Sequence, residues 1–318
     1  MDAYASFRFR DYRFFSSATL LSTFGLQMLS LAVSWDLYIQ TKSAVVLGNV
    51  GFVQVAPFLL FALPAGHLAD HFDRRRIMIF TQLLLMAASA LLFTSSRSVF
   101  LIYTCLFLTA TSRAFQGPAR MAILPHVVPV DVLRNAITWN SSAMEIANVT
   151  GPALAGFMLA SVGSRSVYVA QFICATLTLA CFAFLRLRAE PDRKKPAPSG
   201  PAIAEGLKFV WRDKLILAAI SLDLFAVLFG GAIALLPIYA VEILHTGAKG
   251  LGWLRAAPSF GAVTMAILSS HLPRAKKAGW TLLSTVAGFG VATIVFGLSR
   301  NFWLSFAMLL LTGAFDNS

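Results

Sequence analysis

The sequence predicts an all-α polytopic membrane protein arranged as two helix bundles. Three observations carry that prediction. Hydrophobic residues fill 58% of the 318 positions and charged residues only 13%, against roughly 25% charged in an ordinary soluble domain. Apolar runs of about 20 residues recur from end to end, and each is long enough to span a hydrocarbon core of about 30 Å. A charged, proline-rich stretch interrupts the series once, after the sixth run. The mean hydropathy is +0.73, which is more apolar surface than one soluble core encloses.

Ten spans follow in order: 14–39, 45–66, 77–95, 99–122, 136–161, 167–187, 215–241, 250–271, 280–298 and 302–318. The first follows Arg8, Arg10 and Arg13, and no small-residue cleavage site comes after it. It therefore reads as a retained span and not as a signal peptide. Of the 26 basic residues, 19 lie at the N-terminus, in the loops after spans 2, 4, 6 and 8, or on their flanks. Six lie on the opposite side (Lys42, Arg97, Arg165, Lys249, Arg255 and Arg300), and Arg113 falls within a span. This asymmetry places the N-terminus and the even-numbered loops in the cytoplasm. It also gives the net charge of +12 a topological meaning, with no nucleic-acid partner.

Residues 1–187 form the predicted N-terminal six-helix bundle. Residues 188–214 form a cytoplasmic linker, because four prolines and a charge cluster between Arg188 and Pro201 cannot make a span. Its second part places Ile203, Leu207, Val210 and Trp211 on one face and Glu205, Lys208, Arg212 and Lys214 on the other, the pattern of a short interfacial helix. Residues 215–318 hold spans 7–10 of a second bundle. Two six-helix bundles need twelve spans and ten are present, so the second bundle is expected to be truncated. That count keeps open a non-transporting membrane protein or a partner subunit as the alternative reading.

Chemistry-bearing motifs of other classes are not found. Cys105, Cys174 and Cys181 lie in apolar runs without metal-ligand spacing, and the five histidines lie in or beside loops. No phosphate-binding loop, nucleophile elbow or cofactor fingerprint occurs. The expectation is therefore no enzyme, no metal and no cofactor. The lipid bilayer is an expected partner, and the expected unit is a monomer.

The loop from Gly66 to Arg76, Gly-His-Leu-Ala-Asp-His-Phe-Asp-Arg-Arg-Arg, is the most specific motif. A positive-inside anchor explains its arginines but not its Gly-x-Leu-Ala-Asp spacing. It resembles the loop between helices 2 and 3 of the major facilitator superfamily. Arg113 to Arg120 resembles that family's Arg-x-x-Gln-Gly element, and Gly151-Pro152-Ala153-Leu154-Ala155-Gly156 its Gly-Pro-x-x-x-Gly antiporter element. Arg113–Pro129, Leu222–Gly231 and Gly250–Pro258 are similar to a bacterial branch of enterobactin-type siderophore exporters and macrolide efflux proteins. The equivalent loop of the second half, 270–277, keeps basic charge without the Gly and Asp.

The resemblance implies a major facilitator fold and an exporter, with Gly66 allowing close helix contact, Asp70 joining a charge network, and Arg74 and Arg75 holding a gate. It links Arg113 to proton coupling, and Gly151, Pro152 and Gly156 to export; it thereby implies a small-molecule substrate and protons as partners, a proton gradient as the energy source and a bacterial inner membrane as the location. It also makes helices 1, 4, 7 and 10 the cavity-lining set, on which Asp36, Arg113, Asp223 and Asp316 fall one each. Independently of the resemblance, Ala147, Gly151 and Ala155 make a small-residue stripe suited to close packing, and Pro152 removes one helical hydrogen bond.

Charges at bilayer depth cost at least about 2.5–3.5 kcal/mol and require a partner or a wet cavity. Five residues qualify: Asp36, Arg113, Glu145, Asp223 and Asp316. Arg113 and Glu145 lie at similar depth on consecutive antiparallel spans, so an ion pair is expected, as either a proton-released or a permanent structural pair. Asp223 is the preferred proton carrier, with a packing role as its alternative. Met28, Trp35, Phe115, Phe225 and Phe229 are candidates for holding an amphipathic substrate, a siderophore or a lipophilic drug-like compound.

Overall fold

A backbone inside a bilayer finds no water, so an apolar run must satisfy its own N–H and C=O groups, and a helix does this within one segment. The computed structural model describes residues 4–95, 98–185, 208, 211–212, 217, 231–271 and 278–316, and among them no strand occurs. The helices are α1 (Arg10–Thr41), α2 (Ala44–His71), α3 (Arg74–Ser95), α4 (Val99–Val127), α5 (Leu133–Ser161) and α6 (Ser164–Phe184). A short α7 (Leu236–Ile238) lies between a 3-10 stretch, Gly231–Leu235, and a π stretch, Tyr239–Ile243. Then follow α8 (Gly247–His271), α9 (Ala278–Leu298) and α10 (Phe302–Asp316). Seven of the described helical stretches are long and apolar enough to cross a membrane. Spans 1–6 and 8–10 coincide with helices to within a few residues. The predicted linker and interfacial helix lie outside the described residues except at 208, 211 and 212.

Local chemistry sets several helix ends. Ser43 and Ser98 accept hydrogen bonds from the backbone N–H groups of Val46 and Leu101, at 3.4 Å each, and so cap α2 and α4. Asn301 does the same for α10, accepting from Trp303 N–H at 2.9 Å. α1 stops where Lys42 adopts a left-handed backbone, φ 50°, and its N–H donates to the Tyr38 carbonyl at 2.8 Å. Gly163, at φ 95°, makes the turn between α5 and α6, which an L side chain resists.

The chain divides into two compact units, Met1–Lys194 and Lys195–Ser318. In the first, α1 packs on α5 and α6, α4 packs on α2 and α3, and α3 packs on α6. The neighbours of α1 correspond to those of α4 when each helix is exchanged with the one three places away, and α3–α6 maps onto itself. That is the pattern of a repeated three-helix unit. α1 is held closely on both sides. A Cβ added at Gly151 of α5 would lie 2.9 Å from Gln27 Cβ and 3.0 Å from the Phe24 carbonyl, and one at Gly25 would overlap the Gln171 amide of α6. Ala147 and Ala155 are fully buried beside Gly151, so the small-residue stripe packs as its spacing predicts. Gln27 Nε2 also donates to Asn148 Oδ1 at 2.7 Å across the same interface. At the end of the unit carrying the α2–α3 connection, Tyr12, Phe15, Met78, Ile123, Ala136 and Phe182 gather five helices into one apolar core. Large apolar residues such as Phe52, Leu59, Phe100 and Phe157 face outward, as a lipid solvent permits.

In the second unit α10 packs on α8 and α9, repeating the way α4 packs on α2 and α3. Glycines make this contact. A Cβ at Gly261 would overlap the Leu310 backbone, and one at Gly313 would overlap the Pro258 backbone. Gly288 of α9 leaves room for the Phe315 ring, 2.6 Å from where its Cβ would stand.

Candidate functional site

The α2–α3 connection carries the first part of the site. Arg75 Nε donates to the Phe182 carbonyl at 2.7 Å, and its Nη2 donates to the Ala183 carbonyl. These are among the last carbonyls of α6, which lack helical donors and carry the negative end of the helix dipole. Arg74 reaches the last turns of α4 instead. Its Nη1 donates to the Ala122 carbonyl at 3.4 Å and contacts His126 Nε2, while its Nε donates back to the Ala69 carbonyl at 3.4 Å. Arg76 pairs with Asp73 at 3.8 Å in an exposed position, and Asp73 Oδ1 accepts from Arg75 N–H at 2.9 Å. The two inner arginines thus fasten α3 to the ends of α4 and α6. Asp70 lies in the last turn of α2, and its side chain lies outside the described residues. Gly66 is half-buried, and a Cβ there would meet no described atom within 4 Å. The close helix contact implied at Gly66 is not formed among the described residues.

The second part lies in the interior. Ser22 Oγ of α1 accepts from Gln82 Nε2 of α3 at 3.1 Å and from Gln116 Nε2 of α4 at 3.0 Å. Gln116 Oε1 accepts from Arg120 Nη2 at 3.0 Å. Arg120 Nη1 points at the Met144 sulfur of α5 at 3.7 Å, and Asn140 Nδ2 approaches the same sulfur at 4.0 Å. One polar chain therefore crosses four helices. Sequence reading assigned Arg120 to membrane topology and left out Ser22, Gln82 and Asn140. The available signal was helical spacing: Gln116 and Arg120 are four residues apart and share a face.

The Arg113–Glu145 pair is not formed, which corrects the expectation from sequence. Both residues are described, and no ion pair joins them. The reason is topological: α5 packs chiefly on α1, while α4 packs chiefly on α2 and α3, so consecutive spans are not close partners here. Arg113 is exposed and Glu145 is half-buried. Asp36 is half-buried near the far end of α1, where its Oδ2 accepts from the Tyr168 hydroxyl of α6 at 2.6 Å. Asp316 is exposed in the last turn of α10. Gly151, Pro152 and Gly156 are all buried along α5. Asp223, Phe225 and Phe229 lie outside the described residues.

Among the cavity candidates, Met28 is fully enclosed. It packs against Gly151, where an added Cβ would sit 3.7 Å from its backbone nitrogen, so it is a core residue in this arrangement. Trp35 is half-buried. Phe115 is half-buried and its ring lies 5.5 Å from that of Phe61. No group of three or more metal-ligating side chains occurs among the described residues.

Comparison with known proteins places this architecture. The chain is 30% identical over 169 residues to the staphyloferrin A transporter of Staphylococcus aureus, covering 51% of this chain and 42% of that protein. It is 23% identical over 252 residues to macrolide efflux protein A of Streptococcus pyogenes, covering 77% of this chain and 62% of that one. It thus spans less than two thirds of the length of either relative. A bacterial homologue of the human lysosomal transporter Spinster, solved inward-facing and unoccupied, shares the fold with a TM-score of 0.72 at 15% identity, over 96% of this chain and 73% of that one. The family model described as transmembrane secretion effector matches residues 1–315, and the chain belongs to that family of major facilitator transporters.

Proposed function

We propose that this chain acts as a secondary active exporter, moving a siderophore or a lipophilic drug-like compound out of a bacterial cell in exchange for protons. The observation that carries this reading is the family match over residues 1–315, supported by likeness to a siderophore transporter and a macrolide efflux protein. The mechanism is alternating access, in which two bundles rock about a central cavity. The cytoplasmic side is the one bearing Arg74 and Arg75, as the distribution of basic residues favours.

In this reading Asp223 carries the proton. Asp36 is the second carboxylate of interest, because its bond to Tyr168 links α1 to α6. A hydrogen bond to an ionised carboxylate is among the stronger ones, and protonating Asp36 weakens that link. Charge on one residue is thereby tied to the fit between two helices.

The test is uptake into everted membrane vesicles under an imposed proton gradient, with a carboxylate-bearing siderophore, a catecholate siderophore and a macrolide as probes. Gradient-dependent uptake that Asp223→Asn abolishes is the expected result. Uptake by Asp223→Asn equal to that of the parent chain would remove the assigned carrier. Absence of uptake with correctly inserted protein would remove the exporter reading.

A further inference from the structure

The interior polar chain is incomplete in a way that points to a ligand. A guanidinium carries five N–H donors and a full charge. Arg120 gives Nη2 to one neutral amide oxygen and directs Nη1 at a thioether. Its Nε is sealed from solvent and has no partner among the described residues. No carboxylate among the described residues lies within ion-pair distance of Arg120. Arg120 is half-buried, and a cation partly withdrawn from water without a counter-charge among its described neighbours is unfavourable. A neutral dipole can fill a missing hydrogen bond, but only an anion supplies the missing charge.

We propose that Arg120 and Asn140 form a receptor for a carboxylate on the transported compound. The planar fork of arginine matches the two oxygens of a carboxylate, and the free Nε offers one of the required donors. The Asn140 amide now spends its Nδ2 on a sulfur at 4.0 Å, a weak acceptor that a carboxylate oxygen readily replaces. Met144 is the element that yields, because its unbranched thioether changes rotamer easily. Ser22 and Gln82 fix Gln116 from behind, which orients the guanidinium toward α5. The inference rests on the exporter reading and narrows its substrate class to compounds bearing an anionic carboxylate.

The experiment is calorimetric titration of the detergent-solubilised full chain with 2-naphthoate and its neutral isostere 2-naphthamide. Naphthoate binds saturably and naphthamide does not. Arg120→Gln weakens naphthoate binding by at least about tenfold, the scale of one lost charge-assisted contact, and Arg120→Lys weakens it less. Met144→Glu is the second variant: it supplies the missing charge internally, raises the thermal midpoint and abolishes naphthoate binding. Naphthoate binding unchanged in Met144→Glu or in folded Arg120→Gln overturns the proposal, as does equal binding of the two probes. Because binding is read without a gradient, the two readings fail separately. Vesicle transport with no carboxylate selectivity removes this site alone, and carboxylate binding without any transport removes the exporter reading alone.

Discussion

α4 and α10 hold the same place in their units, each flanked by the two helices before it, yet they are fastened by opposite means. α4 is held by polar side chains: Arg74 on its last turns, and Gln116 and Arg120 in its interior. α10 is held by missing side chains, since Gly313 and Gly261 bring its backbone directly against that of α8. Lipid tails are as apolar as leucine, so helices in a bilayer gain little from simple apolar contact. The remaining sources of association are close backbone approach and interhelical hydrogen bonding; α4 draws mainly on the second, while α10, like α1 at Gly25 and Gly151, draws on the first. α4 should therefore tolerate added volume better than lost charge, and α10 the reverse.

The largest expected effect breaks the glycine side of this comparison. Gly313→Leu forces α8 and α10 apart and destabilises the second unit by about 3 kcal/mol or more, at or above the usual range for overpacking. A clear fall in the thermal midpoint of the solubilised chain checks it, and an unchanged midpoint would show that the contact is slack. Arg75→Ala comes next. It strips the donors from the Phe182 and Ala183 carbonyls, at a cost of about 1.5–3 kcal/mol for a charged hydrogen-bonding group. Hydrogen exchange at the end of α6 should rise while that of α10 stays as it was. Gly151→Ala tests the close approach of α1 and α5 within the first unit. Gln27 and Phe24 must yield by a few tenths of an ångström, and a loss of about 1 kcal/mol is expected, smaller than that of either variant above. Arg76→Ala should change stability by less than about 0.5 kcal/mol, because its pair with Asp73 is long and exposed. A larger loss measured in the same unfolding assay would mean that the outer arginine also fastens the unit.

Spans and their limits were legible in the sequence because hydropathy, charge and turn residues are local properties. The stripe of Ala147, Gly151 and Ala155 was legible for the same reason: helical spacing puts the three on one face. The Arg113–Glu145 pair shows where that reasoning stops. Depth along two consecutive spans can be estimated from helical rise, but which helices become neighbours is a tertiary property, and here α5 chooses α1. Arg120 shows a second limit. A basic residue close to a span end satisfies the topology rule so well that its burial cannot be inferred from its position. The two loop arginines were legible as a pair, but their partners are backbone carbonyls on α4 and α6, and a backbone atom leaves no mark in a one-dimensional pattern.

The Arg75 contact has a consequence for how this region tolerates change over generations. Its acceptors belong to the main chain, so any amino acid at Phe182 or Ala183 presents the same oxygen atoms. Substitutions at Ala183 leave the fastening in place so long as the helix persists, and the Phe182 side chain is fixed only by its place in the apolar core. The arginine has no such freedom, because a shorter or uncharged side chain supplies neither the reach nor the donors. Drift at this end of the molecule is thus one-sided: the surface being grasped can vary while the grasping residue cannot.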